Sequence, residues 1–186
     1  MSDRIRLLLD KVTARHMLTG LLKLAEARGL TDHEMLALAL YDHVGSRALW
    51  PFMVPSTENV LRRLENLPRY AAILRLFRQR VAVAFPTRYF KRWARRLQRY
   101  GFTPEDASVL ALATFGTDND AKILGMHAVV TFDRPMITQW VAQQAAIQAH
   151  CAAMQHNIPI PYCQAPLPRI IHPEDMDSVL NLLSPS

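Results

Sequence analysis

The sequence predicts a three-layer α/β/α sandwich with a mainly parallel central sheet. Short apolar runs alternate along the 186 residues with longer segments whose apolar side chains recur at helical spacing. Such alternation implies helical crossovers, which connect parallel strands and cover both faces of their sheet. Half of the residues are hydrophobic and a fifth are charged, as is usual for a folded globular protein. Because no internal repeat or linker interrupts this pattern, we expect one domain over residues 1–186.

The predicted strands are short apolar runs bounded by punctuating residues. The first run precedes Asp10, and the second contains Pro51, which is unusual inside a central strand. Pro86 closes the third run, and Asp133 follows the fourth. The fifth comes after a proline-rich loop over residues 157–168. In chain order the predicted strands are residues 4–9, 49–54, 81–85, 128–132 and 169–171.

Helical spacing of apolar residues fills the first half of the chain between the strands. One pattern begins at Val12 and ends at Gly29, a residue type that often terminates helices. Thr31 or Asp32 can cap a second helix, because both residue types accept hydrogen bonds from free N–H groups. Pro68 divides the pattern after the second strand into two helices, over residues 58–67 and 70–80.

Four more helices are expected in the second half of the chain. Gly101 closes a basic helix. Thr103 and Pro104 open the next one, because threonine is a good cap and proline is favoured at the first helical position. A long helix rich in Ala and Gln precedes the proline-rich loop, and Pro173 opens the final helix. In chain order these helices are residues 89–100, 104–113, 136–155 and 173–183.

Four acidic residues occupy comparable positions at the ends of predicted elements. Asp10 and Asp133 directly follow strands, whereas Glu58 and Asp106 lie in the first turns of helices. The carboxyl ends of parallel strands form the crevice in which open sheets bind ligands, so these carboxylates could meet at one edge. Together they would repel one another unless protons or cations lay among them. Mg²⁺ and Mn²⁺ prefer such oxygen ligands, and both support phosphodiester hydrolysis.

Each of these acids also has a purely structural interpretation. Acidic residues are favoured at helix N-termini, where they accept hydrogen bonds from free N–H groups and face the positive end of the helix dipole. Asp10 and Asp133 could each cap a helix, and Thr103 with Asp106 resembles a capping box. The combination of four such positions, with their strand order, favours the functional interpretation over the structural one.

Several segments resemble PIN domains, and together they span nearly the whole chain. Asp10 after a short strand and Glu58 after Val-Pro-Ser-Thr are the weaker elements. The helix start at Asp106, followed by Val-Thr-Phe-Asp133, is the most specific element. Residues 170–175 are similar to the last strand and closing helix of that fold. The resemblance implies a metal-dependent ribonuclease whose acidic quartet is Asp10, Glu58, Asp106 and Asp133.

The resemblance also implies a cofactor and partners. Mg²⁺ or Mn²⁺ would be bound by Asp10, Asp106 and Asp133, with Glu58 binding directly or through water. Thr131 matches a position where the family often has Thr or Ser near the metal. Many PIN proteins are toxins of toxin–antitoxin pairs. RNA is therefore the expected substrate, and an antitoxin protein and a second copy in a homodimer are candidate partners.

Two features depart from the usual PIN pattern. Lys11 stands where the family usually has a small or hydroxyl residue, and its cation could pair with the preceding aspartate and compete with metal. The chain also has extra length over residues 113–129 and 141–168. Asp118 and Asp120 could supplement the quartet, although turn formation is their simpler interpretation. These departures keep open a member that has lost catalysis and binds RNA or an acidic protein.

A strongly basic segment lies in the middle of the chain. Residues 62–99 contain 12 Lys or Arg and one acid, Glu65, so their net charge is +11, whereas the whole chain carries +6. The cations around the helix over residues 89–100 form a stripe that could follow a phosphate backbone. They are Arg88, Lys91, Arg92, Arg95, Arg96 and Arg99.

Aromatic residues interleave with these cations. Tyr89, Trp93 and Tyr100 could stack on unpaired bases. The simpler interpretation is that Trp93 belongs to the buried stripe of an amphipathic helix. That stripe would consist of Phe90, Trp93, Ala94 and Leu97.

Other classes of protein find little support. Cys151 and Cys163 are too few for a disulfide framework, and with His150 and His156 they match no usual zinc-ligand spacing. The apolar run near the N-terminus is too short for a signal peptide, and no apolar stretch is long enough to span a bilayer. We therefore expect a cytoplasmic protein without a membrane partner.

Overall fold

The computed structural model describes residues 4–45 and 49–176. Helices and strands alternate along them. In chain order the elements are β1 (Ile5–Leu9), α1 (Lys11–Ala25), α2 (Asp32–Gly45), β2 (Leu49–Met53), α3 (Pro55–Leu64), α4 (Pro68–Arg80), β3 (Ala82–Val83), β4 (Phe85–Pro86), α5 (Phe90–Gln98), α6 (Pro104–Phe115), β5 (Gly116–Thr117), β6 (Ala128–Val130), α7 (Arg134–Gln155) and β7 (Arg169–Ile171).

Five of the strands form a parallel sheet in the order β3–β2–β1–β6–β7, with helices on both faces. This arrangement confirms the predicted three-layer α/β/α sandwich. Alternation along β1 distributes its leucines between the layers. Leu8 packs with the core beneath α5, α6 and α7, whereas Leu7 and Leu9 pack with the core beneath α1, α2 and α4. All three side chains are fully buried, so β1 lies at the centre of the core.

The order of strands reverses beside β1. The chain places β2 and then β3 on one side of β1, and later places β6 and β7 on the other side. In open α/β sheets, ligands bind in the crevice outside the carboxyl ends of the strands at such a reversal. β1 and β6 pair in register, with Leu9 opposite Val130. Asp10 and Thr131 directly follow these two residues, so they lie side by side at the carboxyl-terminal edge of the sheet.

The predicted strand over residues 81–85 divides into two pieces. β3 pairs with the end of β2, and the N–H of Ala84 donates to the carbonyl oxygen of Met53 at 3.0 Å. The chain then leaves the main sheet, and β4 pairs antiparallel with β5, a two-residue strand that the sequence did not predict. Pro86 has no N–H group, which makes it unsuited to a continued central ladder.

The second helix begins with a reciprocal capping box. The hydroxyl oxygen of Thr31 accepts the N–H of Glu34 at 3.4 Å, and the Glu34 carboxylate accepts the N–H of Thr31 at 2.8 Å. Thr31, rather than Asp32, is therefore the cap. Lys23 pairs with Glu34 at 2.8 Å, and this contact, with the hydrogen bond from Thr31, lowers the pKa of Glu34 to about 2.

Other boundaries lie close to those predicted. α4 begins at Pro68 rather than Tyr70, because proline is favoured at the first helical position. The loop over residues 157–168 contains one short 3₁₀ turn. The final predicted helix begins with a 3₁₀ turn over Pro173–Asp175, and its continuation through Leu183 lies outside the described residues. Within the described residues, no helix combines the length and apolar character needed to cross a membrane.

Candidate functional site

Asp10 lies at the carboxyl end of the central strand, and only 8% of its surface is exposed. Its Oδ1 caps α1 by accepting the N–H of Thr13 at 2.6 Å, and its Oδ2 accepts the hydroxyl of Thr131. Burial raises the pKa of Asp10 and the charge of Asp133 adds to that shift, although the hydrogen bonds from Thr131 and Thr13 oppose it. The negative charge of this carboxylate is therefore unfavourable unless a cation offsets it.

Thr131 joins Asp10 to Asp133. Its hydroxyl donates to Asp10 and accepts the N–H of Asp133 at 3.0 Å. Asp133 caps α7, since its Oδ1 accepts the N–H of Met136 at 3.0 Å, and Asp133 is exposed to solvent. The structure thus brings Asp10, Thr131 and Asp133 together where β1 and β6 end. Carboxylate oxygens have further lone pairs beyond those used by the caps, so both groups can accept another partner.

Asp106 lies in the first turn of α6. Its carboxylate accepts the hydroxyl of Thr103 at 2.7 Å, and its N–H donates to the same hydroxyl at 3.1 Å. Thr103 is therefore the predicted cap, but the Asp106 carboxylate bonds its hydroxyl and not its backbone N–H as in a capping box. The start of α6 adjoins that of α1, because Nζ of Lys11 pairs with Oε1 of Glu105 at 3.4 Å. The predicted salt bridge between Lys11 and Asp10 is not formed, because Lys11 pairs with Glu105.

Glu58 lies in the first turn of α3, where arginines hold its carboxylate. Its Oε1 accepts Nε of Arg62 at 3.0 Å and Nη2 of Arg78 at 3.1 Å, and its Oε2 accepts Nε of Arg78 at 3.3 Å. Arg78 also pairs with Glu65. The Glu58 side chain is only 13% exposed, whereas Arg62 and Glu65 at the edge of this ion-pair network are more than half exposed. Two cations of the basic segment are thus neutralised within the protein.

The four acids do not form a single cluster. In residues 4–45 and 49–176, no three His, Cys, Asp or Glu side chains lie close enough to bind one metal ion together. Asp10 and Asp133 remain as a pair, which suits Mg²⁺ because that ion usually takes one or two carboxylates and keeps several waters. The hydroxyl of Thr57, at the start of α3, is buried and has no hydrogen-bond partner among the described residues. It is therefore a further group that could donate or accept a hydrogen bond.

Asp118 and Asp120 are turn residues. Oδ1 of Asp118 accepts the backbone N–H groups of Lys122 at 2.7 Å and Ile123 at 3.2 Å. The Asp120 carboxylate pairs with Nζ of Lys122 at 2.7 Å. These contacts confirm the turn interpretation, because both carboxylates are engaged within their own loop.

The apolar side of α5 belongs to the core. Trp93, Ala94 and Leu97 are buried, and the indole N–H of Trp93 donates to the hydroxyl of Thr114 at 3.2 Å. The predicted core stripe is therefore confirmed for these three residues, whereas Phe90 is half-buried. A base-stacking role for Trp93 is wrong, because its ring has no exposed surface. Tyr89 and Tyr100 are half-buried and stay available for contact.

The cations of α5 and of the residues that flank it face solvent. Five are exposed and Arg96 is half-buried. Among the described residues, none of the six forms an ion pair with a carboxylate. Burial, together with the neighbouring charges of Arg92 and Arg99, lowers the pKa of Arg96. We call this surface the basic face, and its members are Arg88, Lys91, Arg92, Arg95, Arg96 and Arg99.

Three histidines that the sequence analysis did not assign to a site surround Phe132. The ring centroids of His16, His33 and His172 lie 5.2, 4.7 and 5.4 Å from that of Phe132. Burial is the main cause that lowers the pKa of both His16 and His172, which favours the neutral form of these rings. The cluster had no sequence signal because its members come from separate elements.

Asp10→Asn tests the burial of the candidate site. Because folding raises the pKa of Asp10 above its ordinary value of about 3.9, wild type loses stability as pH rises through the folded pKa. Asparagine carries no charge and is an equally good cap. The free energy of unfolding of the variant, relative to wild type, should therefore increase between about pH 3 and pH 7. Urea denaturation in EDTA measures this difference.

Asp120→Asn is the matched control. Lys122 lowers the pKa of Asp120, so the relative stability of this variant should fall over the same pH range. A relative stability of Asp10→Asn that stays constant or falls with pH would contradict the account of Asp10.

No protein-family model matches the sequence, and no curated protein matches it. Among the described residues, the two features that bear on function are the junction of Asp10, Thr131 and Asp133 and the basic face.

Proposed function

We propose that the protein is a metal-dependent endoribonuclease that hydrolyses RNA phosphodiester bonds. The observation that carries this proposal is the junction of Asp10 and Asp133 through Thr131, at the point where the strand order reverses. A buried carboxylate with a raised pKa, beside a second carboxylate in such a crevice, is typical of a functional site. The resemblance to PIN domains implies chemistry at these same positions, which supports the proposal.

Asp10 and Asp133 would hold Mg²⁺ or Mn²⁺, and Asp106 would act through water from the start of α6. Glu58 would take no part, because Arg62 and Arg78 engage its carboxylate. When bound, the ion would supply Lewis-acid chemistry at the phosphodiester. Thr131 orients the Asp10 carboxylate through its hydroxyl, as residues behind metal ligands commonly do. The helix caps fix both aspartates in place before RNA arrives.

The basic face would hold the RNA backbone. Its six cations have no carboxylate partners among the described residues, so an anionic ligand neutralises charge that the fold leaves uncompensated. The toxin role and the antitoxin partner implied by the PIN resemblance belong to this same proposal. An antitoxin with an acidic segment would compete with RNA for the basic face.

A catalytically inactive interaction module is the second candidate. Two observations favour it: Glu58 is committed to Arg62 and Arg78, and both Asp10 and Asp133 serve as helix caps. In that case the acids only stabilise helices, and the basic face binds RNA or an acidic protein.

Asp133→Asn should abolish most metal-dependent cleavage. Asparagine still caps α7 but removes one of the two charges that hold the cation. Loss of several kcal/mol of Lewis-acid stabilisation corresponds to a fall in rate of about 10³-fold. Cleavage of a panel of structured and unstructured RNAs, with Mn²⁺, Mg²⁺ or EDTA, measures the effect.

Asp120→Asn is again the control, because it makes the same exchange at an exposed loop carboxylate and should cleave like wild type. Mn²⁺ should also raise the melting temperature of wild type and Asp120→Asn but not of Asp133→Asn, by mass action on the folded state. Equal cleavage by Asp133→Asn and wild type would overturn the assignment, and salt-sensitive RNA binding without cleavage would favour the inactive module.

Arg92→Gln and Arg95→Gln should weaken RNA binding in proportion to the phosphate contacts that they remove. Affinity falls as salt concentration rises. For a single-stranded ligand, each lost contact should make the plot of log affinity against log salt concentration shallower by about 0.7. Fluorescence anisotropy at several salt concentrations, without divalent ions, measures the slopes.

Arg28→Gln makes the same change in charge at the end of the sheet opposite the candidate site, since Arg28 follows the far end of α1 and pairs with Glu26. Its salt slope should equal that of wild type. If the salt slopes of Arg92→Gln and Arg95→Gln equal that of Arg28→Gln, RNA does not bind at the basic face.

A further inference from the structure

A small apolar cavity opens beside the candidate site. Its volume is about 200 Å³, which is smaller than the cavities that hold drug-sized ligands and suits one planar ring system. Four elements, α3, α5, α6 and β4, contribute its apolar walls. The wall residues are Val54, which directly precedes α3, and Pro55, Pro86, Phe90, Val109 and Leu112.

The rim of the cavity carries hydrogen-bonding groups of both kinds. Lys11 provides an ammonium donor, Glu105 a carboxylate acceptor, and Ser56 a hydroxyl that can donate or accept. The hydroxyl of Ser108 donates to the carbonyl oxygen of Pro104 at 2.7 Å, so it can accept a hydrogen bond from a ligand. Lys11 and Glu105 pair with each other at 3.4 Å while both side chains remain more than half exposed, so neither is committed to the interior. A ligand with an apolar ring face and polar edges satisfies both the walls and the rim.

The cavity lies between the candidate acids and the basic face. Three of its residues neighbour the acids in sequence: Lys11 follows Asp10, Ser56 comes two residues before Glu58, and Glu105 precedes Asp106. On the other side, Phe90 is the first residue of α5, whose cations have no carboxylate partners among the described residues. A chain of phosphates that follows α5 towards the acids therefore passes the mouth of the cavity.

We propose that this cavity binds one unpaired base of a single-stranded RNA, next to the phosphate that is cleaved. The inference rests on the proposed nuclease function and adds a base-binding subsite to it. Phe90 provides an aromatic surface for the base, because every base has a stacking face, and the rim groups contact its polar edges. The positive charge beside Phe90 favours a nucleotide over an uncharged apolar side chain of a protein.

Phe90→Ala should lose base-dependent binding while keeping backbone binding. The probes are a short single-stranded RNA and an oligonucleotide of equal length and charge built from abasic ribose phosphates. Wild type should bind the RNA more tightly than the abasic probe. Phe90→Ala should bind the RNA about tenfold more weakly, which is typical of a lost stacking contact, and should bind the abasic probe like wild type. Fluorescence anisotropy without divalent ions provides the affinities.

Two further variants keep the test decisive. Phe85→Ala removes an exposed phenylalanine that lines a different cavity, and it should bind both probes like wild type. Ser56→Trp adds bulk at an exposed position on the cavity mouth, so it should reproduce the Phe90→Ala result without disturbing the core. The inference is overturned if wild type binds both probes equally, or if both cavity variants weaken the two probes to the same extent.

Failure of this inference is distinguishable from failure of the nuclease proposal. The binding measurement contains no divalent ion, so a protein that never cleaves RNA can still show the base-dependent difference. A protein that cleaves RNA yet binds both probes equally overturns the subsite and leaves the nuclease assignment in place. Binding of neither probe overturns the subsite as well, and the cavity would then suit a side chain of a protein partner.

Discussion

The hydroxyl of Thr131 is the contact on which the candidate site depends. It donates to the buried carboxylate of Asp10 and accepts the N–H of Asp133, so one fully buried group connects the ends of β1 and β6. Thr13 strengthens the same junction, because its hydroxyl donates to the carbonyl oxygen of Val130 at 3.1 Å. A buried carboxylate is costly without such partners. Hydrogen bonds to a residue of the core thus fix the carboxylate of Asp10 and the backbone of Asp133.

Charge is compensated in only one part of the basic segment. Glu58 and Glu65 pair with Arg62 and Arg78 in a network at the protein surface. The basic face along α5 has no carboxylate partners among the described residues and is turned to solvent, and it also borders the proposed base cavity. The other arginines of α3 and α4 are likewise exposed without such partners in the described part of the chain: Arg63, Arg69, Arg75 and Arg80.

Much of the fold could be predicted because its periodicity reflects burial. β1 and the helix start at Thr103 depend on local sequence, and both were predicted to within one residue. β5 could not be predicted, since two residues carry no period, and the division of the third strand depends on where β4 finds its partner. These features are set by tertiary pairing rather than by local pattern.

The candidate site shows the same limit. Asp10 and Asp133 were identified because each follows a strand, and parallel strands bring such positions to one edge. The engagement of Glu58 by Arg78, twenty residues further along the chain, has no local signal. Trp93 could belong to a core stripe or to a stacking surface by spacing alone, and only its complete burial decided between them.

The most direct test of the central claim is a crystal structure grown or soaked with Mn²⁺ and measured at a wavelength where manganese scatters anomalously. The account predicts an anomalous peak within coordinating distance of the carboxylates of both Asp10 and Asp133. Peaks at other carboxylates with none at this pair, in crystals whose candidate site is open to solvent, would contradict it. The acids at the ends of β1 and β6 would then be helix caps alone.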